Sequence, residues 1–312
     1  MAKILITESV HPIGPELLTA AGHTVVYANR DMDVIRREIV DADAVLVRII
    51  ELPGSLLATA KNLKIVSKHG VGYDNIDLDY CKSHGIAVTI TPNANSLSVA
   101  EHAFTLMLTL AKNIIPVSNE YRTVGFAAKN HAPGIEMTGK TLGLIGMGRI
   151  GKHILHMCRD GLDMHVIVYD PYISEVPEGV ERVDDLSELL RRADVVTLHC
   201  LLTDETRKLI DRERLALMKP TALLINCARG PIVDSAALAA ALNEGRLAGA
   251  GVDVFNQEPP IPDSEPLLHA RNALLTPHIA FASQESMIRR ARIVFQNIEA
   301  YLAGKPENVC QY

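Results

Sequence analysis

The sequence predicts an α/β protein built from two doubly wound parallel-sheet domains. Three observations carry that prediction. Short β-branched runs alternate with helical patterns almost from end to end. The runs are continuously apolar rather than alternating, as strands covered on both faces must be. The series also restarts after residue 138, so two βαβ successions come one after the other, the second being the larger. With 312 residues, 48% hydrophobic and 22% charged, the chain can bury two sizeable cores.

In the first succession, "AKILIT", "HTVVYA", "DAVLVRI", "LKIVSKHG" and "GIAVTIT" predict strands, and stretches such as "GPELLTAA" and "DVIRREIV" predict the helices between them. Next comes "SLSVAEHAFTLMLTLAKNIIPVSNEYR". Ser98 and Glu101 fit a capping box, which predicts a helix starting there. Val99, Phe104, Leu106, Met107, Leu108, Leu110, Ile114 and Ile115 make this helix apolar on nearly every side, so it is expected to be buried. The second succession supplies "KTLGLIG", "MHVIVYD", "DVVTLHC", "TALLINC", "GAGVDVF" and "NALLTPH" as strands. A last helix puts Ile288, Phe295, Ile298 and Leu302 on one stripe and ends at Gly304 and Pro306.

Bulk properties exclude several classes. The formal net charge is −6 and Trp is absent, with aromatics at 4%, so neither a polyanion footprint nor a base-stacking platform is expected. No stretch approaches the roughly 18 to 20 apolar residues of a membrane helix. The N-terminal "MAKILITESV" lacks the apolar core and cleavage site of a secretory signal. Five cysteines, scattered and without a C-x-x-C pair, suit a reducing compartment better than a disulfide framework or a zinc site. The expectation is a soluble cytoplasmic protein with no further module beyond residue 312.

"KTLGLIGMGRIGKHIL" carries Gly146, Gly148 and Gly151 as G-x-G-x-x-G, directly after a strand and opening a helix. The first glycine allows a tight turn, the second lets backbone approach a pyrophosphate, and the third lets helix and strand pack closely. The next strand ends in Asp170, nineteen positions after Gly151, where a dinucleotide site needs a carboxylate for the ribose hydroxyls. The same carboxylate would repel a 2′-phosphate, and the adjoining "PYIS" holds no arginine to offset it. NAD is therefore expected over NADP.

In a doubly wound sheet, ligands sit beyond the carboxyl ends of the strands. The residues just past the late strands are then informative: Arg229 after "TALLINCA", Asp253 and Glu258 in "GAGVDVFNQEPP", and His278 in "TPHIA". Taken alone, His278 fits a satisfied core histidine. Its surroundings fit a proton carrier. Reducing a 2-oxo acid leaves negative charge on the carbonyl oxygen, which a positioned acid must neutralise. A neighbouring carboxylate favours the charged form of an imidazole. The substrate carboxylate calls for a planar bidentate anchor, which arginine provides and lysine does not. Arg229, Glu258 and His278 fill these three roles.

The sequence resembles the D-isomer-specific 2-hydroxyacid dehydrogenase family over nearly its whole length. The matching segments are "HGVGYDNID" (69–77), "TPNANSLSVAEH" (91–102), "TLGLIGMGRIG" (141–151), "VYDPY" (168–172), "NCARGPIVD" (226–234), "GVDVFNQEPP" (251–260) and "TPHIA" (276–280). Within the family it is most similar to the catalytic part of 3-phosphoglycerate dehydrogenases. The resemblance implies a Rossmann NAD domain, residues 98–284, inserted in a flavodoxin-like substrate domain made of residues 1–97 and 285–312, with a cleft that closes between them. It implies Arg229, Glu258 and His278 as the catalytic set. Cofactor contacts are implied from Val71, Gly146, Gly148, Arg149, Ile150, Gly151, Asp170, Cys200, Cys227, Ala228, Arg229, Asp253 and His278. Substrate contacts are implied from Arg48, Val71, Gly72, Arg229 and His278. It also implies a homodimer built around the helix after Ser98.

The chain departs from the phosphoglycerate enzymes in lacking the Arg-Ser pair after "AVLV", where Arg48 is followed by Ile49, so the far end of the substrate stays open. Glyoxylate, hydroxypyruvate, phosphohydroxypyruvate and sulfopyruvate all present the same carboxylate and carbonyl. Glu258 stands where formate dehydrogenases of the wider family have glutamine. A second reading on the same fold is an NADH-sensing regulatory protein. His153 and His156 are ordinary helix residues in this reading, with no metal expected. His69 fits either a substrate contact or strand-end packing. Cys227 adjoins the proposed anchor without a base to activate it.

Overall fold

The computed structural model describes residues 1–130, 133–258 and 265–310. The chain divides into two compact units, one made of residues 1–95 and 282–312, the other of residues 96–281.

The first unit holds strands β1 (Lys3–Ile6), β2 (Thr24–Tyr27), β3 (Ala44–Val47), β4 (Ile65–Lys68) and β5 (Ala87–Thr89) in a parallel sheet of order β2-β1-β3-β4-β5, the flavodoxin-like order. β3 and β4 are buried at every position; β3 accordingly reads as an unbroken apolar run, whereas β4 ends in the buried polar pair Ser67 and Lys68. The last helix, Gln284–Leu302, lies on this sheet: Val294 and Ile298 share a cluster with Ile4, Ile6, Leu18, Leu46 and Ile65. Each such fully buried aliphatic side chain contributes about 1.5–3 kcal/mol. Its buried stripe is Ser286, Arg290, Ala291, Val294, Asn297 and Ile298, whereas Ile288 and Phe295 are half-buried and Leu302 is exposed. The expected stripe is thus rotated, because Arg290 and Asn297 turn inward to bond the carbonyls of His69 and Ile90.

The second unit holds β6 (Thr141–Ile145), β7 (His165–Tyr169), β8 (Val180–Arg182), β9 (Val195–Leu198), β10 (Leu223–Asn226), β11 (Gly249–Val252) and β12 (Ala273–Leu275). Its parallel sheet has the order β12-β11-β10-β9-β6-β7-β8, the Rossmann arrangement with one strand added beside the sixth. The strand order reverses between β6 and β9, where such sheets take ligands. Strand β8 escapes the sequence pattern because it is a three-residue edge strand with Glu181 and Arg182 exposed.

Two expectations about the intervening helix are corrected. It spans Ser96–Ala111, so Ser98 lies inside its first turn, buried, rather than at the cap. Asn93 takes a left-handed φ of 62°, turning the chain early enough for winding to begin at residue 96. The helix also stops before Ile114: Asn113 is left-handed at φ 52°, and a separate helix, Ile114–Val124, contains no buried residue. Ile114 and Ile115 are therefore exposed, together with Tyr121, Val124 and Phe126. Among the described residues, no helix is long and apolar enough to cross a membrane.

Candidate active site

The glycine turn comes after β6 and opens the helix Arg149–Leu162. Gly146 sits at φ 89°, and a Cβ there would lie 2.8 Å from the backbone nitrogen of Cys200. At Gly151 a Cβ would lie 2.3 Å from the Gly146 carbonyl oxygen, so both positions are closed to any side chain. Gly148 differs: a Cβ added there meets nothing within 4 Å. The turn is thus packed tight behind and open in front, with Arg149 exposed and Ile150 half-buried beside the opening. A dinucleotide pyrophosphate requires that cradle. Asp170, one residue past β7, accepts hydrogen bonds from the backbone N–H of Met147 at 2.9 Å and of Tyr172 at 3.0 Å. It therefore ties the glycine turn to the neighbouring strand end, which fits the place of a ribose-binding carboxylate.

After β9 comes Cys200, half-buried, its thiol pushed up to about 11 by burial. After β10 come Cys227, Ala228 and Arg229. Burial raises the Cys227 thiol well above its ordinary value, with Asp253 adding to the shift, so it is no nucleophile. The Asn226 side chain shapes this loop: its Oδ1 accepts from the Ala228 N–H and its Nδ2 donates to the Arg229 carbonyl, each at 3.0 Å. Arg229 donates from Nη1 to the Ala228 carbonyl at 2.8 Å. The next residue, Gly230, touches the loop after β11 so closely that a Cβ would lie 2.1 Å from the carbonyl carbon of Phe255. That contact sets the loop of Arg229 against the loop carrying Glu258.

Glu258 is used twice. Its Oε1 accepts from the Phe255 N–H at 2.8 Å, and its Oε2 meets Nδ1 of His278. Both side chains are partly exposed, 33% for His278 and 23% for Glu258, so the pair is reachable from solvent. With Nδ1 on the carboxylate, Nε2 is the ring nitrogen available for proton exchange. His278 itself has φ 53°, a left-handed backbone that non-glycine residues seldom adopt and that concentrates at functional sites. The turn is held from β11: the His278 N–H donates to the Asp253 carbonyl at 2.8 Å, and the fully buried Asp253 carboxylate accepts from the N–H groups of Ile279 and Ala280, both at 2.9 Å. The motif "GVDVFNQEPP" runs on into Pro259 and Pro260, which lie outside the described residues.

In the first unit, Arg48 is half-buried beyond β3. Its N–H donates to Glu8 Oε2 at 2.6 Å and its Nη1 to the Ser9 carbonyl at 2.7 Å. Burial lowers its basicity, and Glu8 works against that shift. Val71 and Gly72, both half-buried, lie in the loop after β4. Lys68 and Asn75 brace that loop, Lys68 bonding Asn75 Oδ1 and Asn75 Nδ2 donating to the Ile50 carbonyl at 2.6 Å. His69 is fully buried, and neither ring nitrogen has a hydrogen-bond partner. Burial, with Arg290, Arg48 and Lys68 nearby, holds it well below the ordinary histidine range. It is neutral in this state. His156 pairs with Asp160 along its own helix. Among the described residues, no group of three or more His, Cys, Asp or Glu side chains is arranged to hold a metal.

Sequence reasoning missed three participants. His102 Nε2 lies 3.0 Å from the Thr276 hydroxyl, which in turn donates to Asp253 at 2.6 Å. Asn226 organises the Arg229 loop. Arg290 bonds the carbonyl of His69 in the first unit. None belongs to a motif with a mechanism of its own, and the His102–Thr276 pair is 174 residues apart in sequence.

The sequence matches the family described as "D-isomer specific 2-hydroxyacid dehydrogenase, NAD binding domain" over residues 104–280. It is 41% identical to a D-3-phosphoglycerate dehydrogenase of Methanocaldococcus jannaschii, over 99% of this chain and 59% of that one. It is 38% identical to a glyoxylate reductase of Thermofilum pendens, over 97% of this chain and 92% of that one. Among solved structures, D-lactate dehydrogenase from Aquifex aeolicus, complexed with NAD and lactic acid, superposes with a TM-score of 0.87 at 31% identity, covering 97% of this chain and 96% of that one. The chain spans between 55% and 59% of the length of three phosphoglycerate dehydrogenases it matches. On the family match and on these full-span similarities, the chain belongs to the D-isomer specific 2-hydroxyacid dehydrogenase family.

Proposed function

We propose that the chain is an oxidoreductase moving a hydride between NAD(H) and a small D-2-hydroxy acid and its 2-oxo partner. The observation that carries this reading is the Glu258–His278 pair, mounted on a left-handed backbone beside the Arg229 loop. Residues 98–284 take the dinucleotide-binding role, and residues 1–97 with 285–312 the substrate-binding role. Gly146, Gly148, Arg149, Ile150 and Gly151 cradle the pyrophosphate, Asp170 takes the ribose hydroxyls, and Val71, Cys200, Cys227, Ala228, Arg229, Asp253 and His278 complete the cofactor contacts. When bound, the nicotinamide supplies or accepts the hydride.

The protein's own groups do the rest. Arg229 holds the substrate carboxylate through a planar fork, with the backbone of Val71 and Gly72 assisting and Arg48 toward the far end of the acid. His278 Nε2 gives a proton to the carbonyl oxygen in reduction and takes one from the hydroxyl in oxidation. Glu258 orients the ring through Nδ1. Candidate substrates are glyoxylate, hydroxypyruvate, 3-phosphohydroxypyruvate and sulfopyruvate. The exposed apolar side chains of Ile114, Ile115, Tyr121, Val124 and Phe126, of which Ile114, Tyr121 and Phe126 line one pocket, support a homodimer through this helix, and a monomeric mass by light scattering would remove that part of the proposal.

A panel of those four acids with NADH and with NADPH, read by loss of nicotinamide absorbance, tests the reading. Turnover of at least one acid, faster with NADH, is expected. Tight NADH binding with no turnover of any acid would make the chain a regulatory binder instead.

A further inference from the structure

We propose that His102 is a positioning residue for His278, acting through Thr276 and Asp253; the inference rests on the role given above to His278. His102 stands on the helix Ser96–Ala111, its Nε2 3.0 Å from Thr276 Oγ1 and 3.6 Å from Asp253 Oδ1. A threonine hydroxyl has one proton to donate. Thr276 donates it to Asp253 Oδ1 at 2.6 Å. The imidazole nitrogen facing that hydroxyl is therefore the donor, and Nε2 of His102 carries the hydrogen. The direction of every bond in the chain is then set: His102 donates to Thr276, and Thr276 donates to Asp253.

Asp253 is where the effect converges. Its carboxylate is fully buried and receives Thr276 and the amides of Ile279 and Ala280, while its carbonyl receives the amide of His278. A buried carboxylate needs such donors, and a left-handed histidine needs support from outside its own backbone. The helix bearing His102 is seated firmly enough to provide that support. At Gly251, in β11, an added Cβ would lie 2.9 Å from Leu106 Cβ, so helix and strand are in close contact two residues before Asp253. Through Thr276, His102 thus acts on the same Oδ1 that receives Ile279, while Ala280 bonds Oδ2 and His278 the Asp253 carbonyl.

Hydrogen exchange on the cofactor-free protein, read with NADH affinity and steady-state kinetics, tests this. His102→Leu is expected to raise amide exchange at Ile279 and Ala280 about tenfold relative to the rest of residues 96–281. It should lower kcat about tenfold through misplacement of His278 and weaken NADH binding far less than that. His102→Gln puts an amide N–H near the Nε2 position and should restore both exchange and kcat. Thr276→Val should reproduce His102→Leu, and combining them should cost no more than either alone. Unchanged protection at residues 279–280 in His102→Leu overturns the proposal. So does exchange rising evenly across the unit, or His102→Gln behaving like His102→Leu. If the unaltered protein turns over no 2-oxo acid, the enzymatic reading fails while the exchange data still decide whether His102 holds this turn.

Discussion

Glu258 and His278 meet through Oε2 and Nδ1 while the other carboxylate oxygen of Glu258 is held by the Phe255 N–H. The carboxylate is anchored before it touches the imidazole, so the ring is oriented by a fixed group rather than by a mobile side chain. That arrangement lets a partly exposed histidine keep one tautomer and one direction without being buried.

Replacing His278, the proposed proton carrier, is the direct test of that pair. In His278→Asn, asparagine preserves a polar side chain and tolerates the φ of 53° at this position, but it cannot exchange a proton near neutral pH. We expect kcat for 2-oxo acid reduction to fall about 10²-fold or more, with NADH affinity, read by fluorescence titration, falling far less. Full turnover in this variant would remove His278 from the reaction.

Gly230 links the two loops that carry Arg229 and Glu258, which makes it sensitive out of proportion to its size. Gly230→Ala would bring a methyl group 2.1 Å from backbone of Phe255, an overlap no rotamer can relieve. The loop holding Glu258 has to move. We expect a loss of about 1–3 kcal/mol in stability by denaturant titration, together with a fall in kcat. A variant as stable and active as the parent would show that these loops are not in close contact.

The neutral, buried His69 gives a pH dependence with a definite sign. Its basicity is lowered by burial first and by Arg290, Arg48 and Lys68 after that. In the unfolded chain it would titrate near 6.5. The unfolded state therefore takes up a proton that the folded state refuses, so this contribution to stability is complete above pH 6.5 and is lost as pH falls below it. The slope approaches about 1.4 kcal/mol per pH unit. His69→Leu breaks no hydrogen bond of the ring, since it makes none. Thermal denaturation at pH 7.5 and pH 5 should show a smaller acid-side drop in Tm for the variant than for the parent. Equal drops would mean that His69 is protonated in the fold.

Much of the fold and of the candidate site was legible in the sequence because the signals are contiguous. "GMGRIG" and Asp170 lie within one βαβ unit, and Arg229, Glu258 and His278 each come after a strand, so knowing the sheet to be parallel brings them to one edge. Where the signals were wrong, a local conformation had overridden a periodicity. The apolar pattern runs straight through "LAKNIIP", yet Asn113 adopts a left-handed turn and separates a buried helix from an exposed one. On the final helix, counting apolar residues could not find a stripe that includes Arg290 and Asn297, since charged and polar side chains are ordinarily assigned to solvent. The His102–Thr276–Asp253 chain was invisible for a different reason: nothing in one dimension shows that residue 102 reaches residue 276.

In the proposed function, cofactor choice is assigned to Asp170, whose two carboxylate oxygens receive Met147 N–H and Tyr172 N–H. An aspartate in that position has a structural duty and an electrostatic one, and replacing it by asparagine divides the two. Asp170→Asn keeps a side-chain oxygen for one of the amides, so the glycine turn loses at most one hydrogen bond, about 0.5–1.5 kcal/mol. What disappears is the negative charge that a 2′-phosphate would have to approach. We expect NADH to bind more weakly, because an amide bonds ribose hydroxyls less strongly than a carboxylate does, and NADPH to bind more tightly. The NADPH-to-NADH preference in kcat/KM should then shift by about tenfold or more, the two effects together amounting to about 1.4 kcal/mol or more. Parallel kinetics with the two cofactors at one ionic strength measure this. If both affinities weaken equally, Asp170 serves only the turn, and discrimination against the phosphate lies elsewhere in the loop.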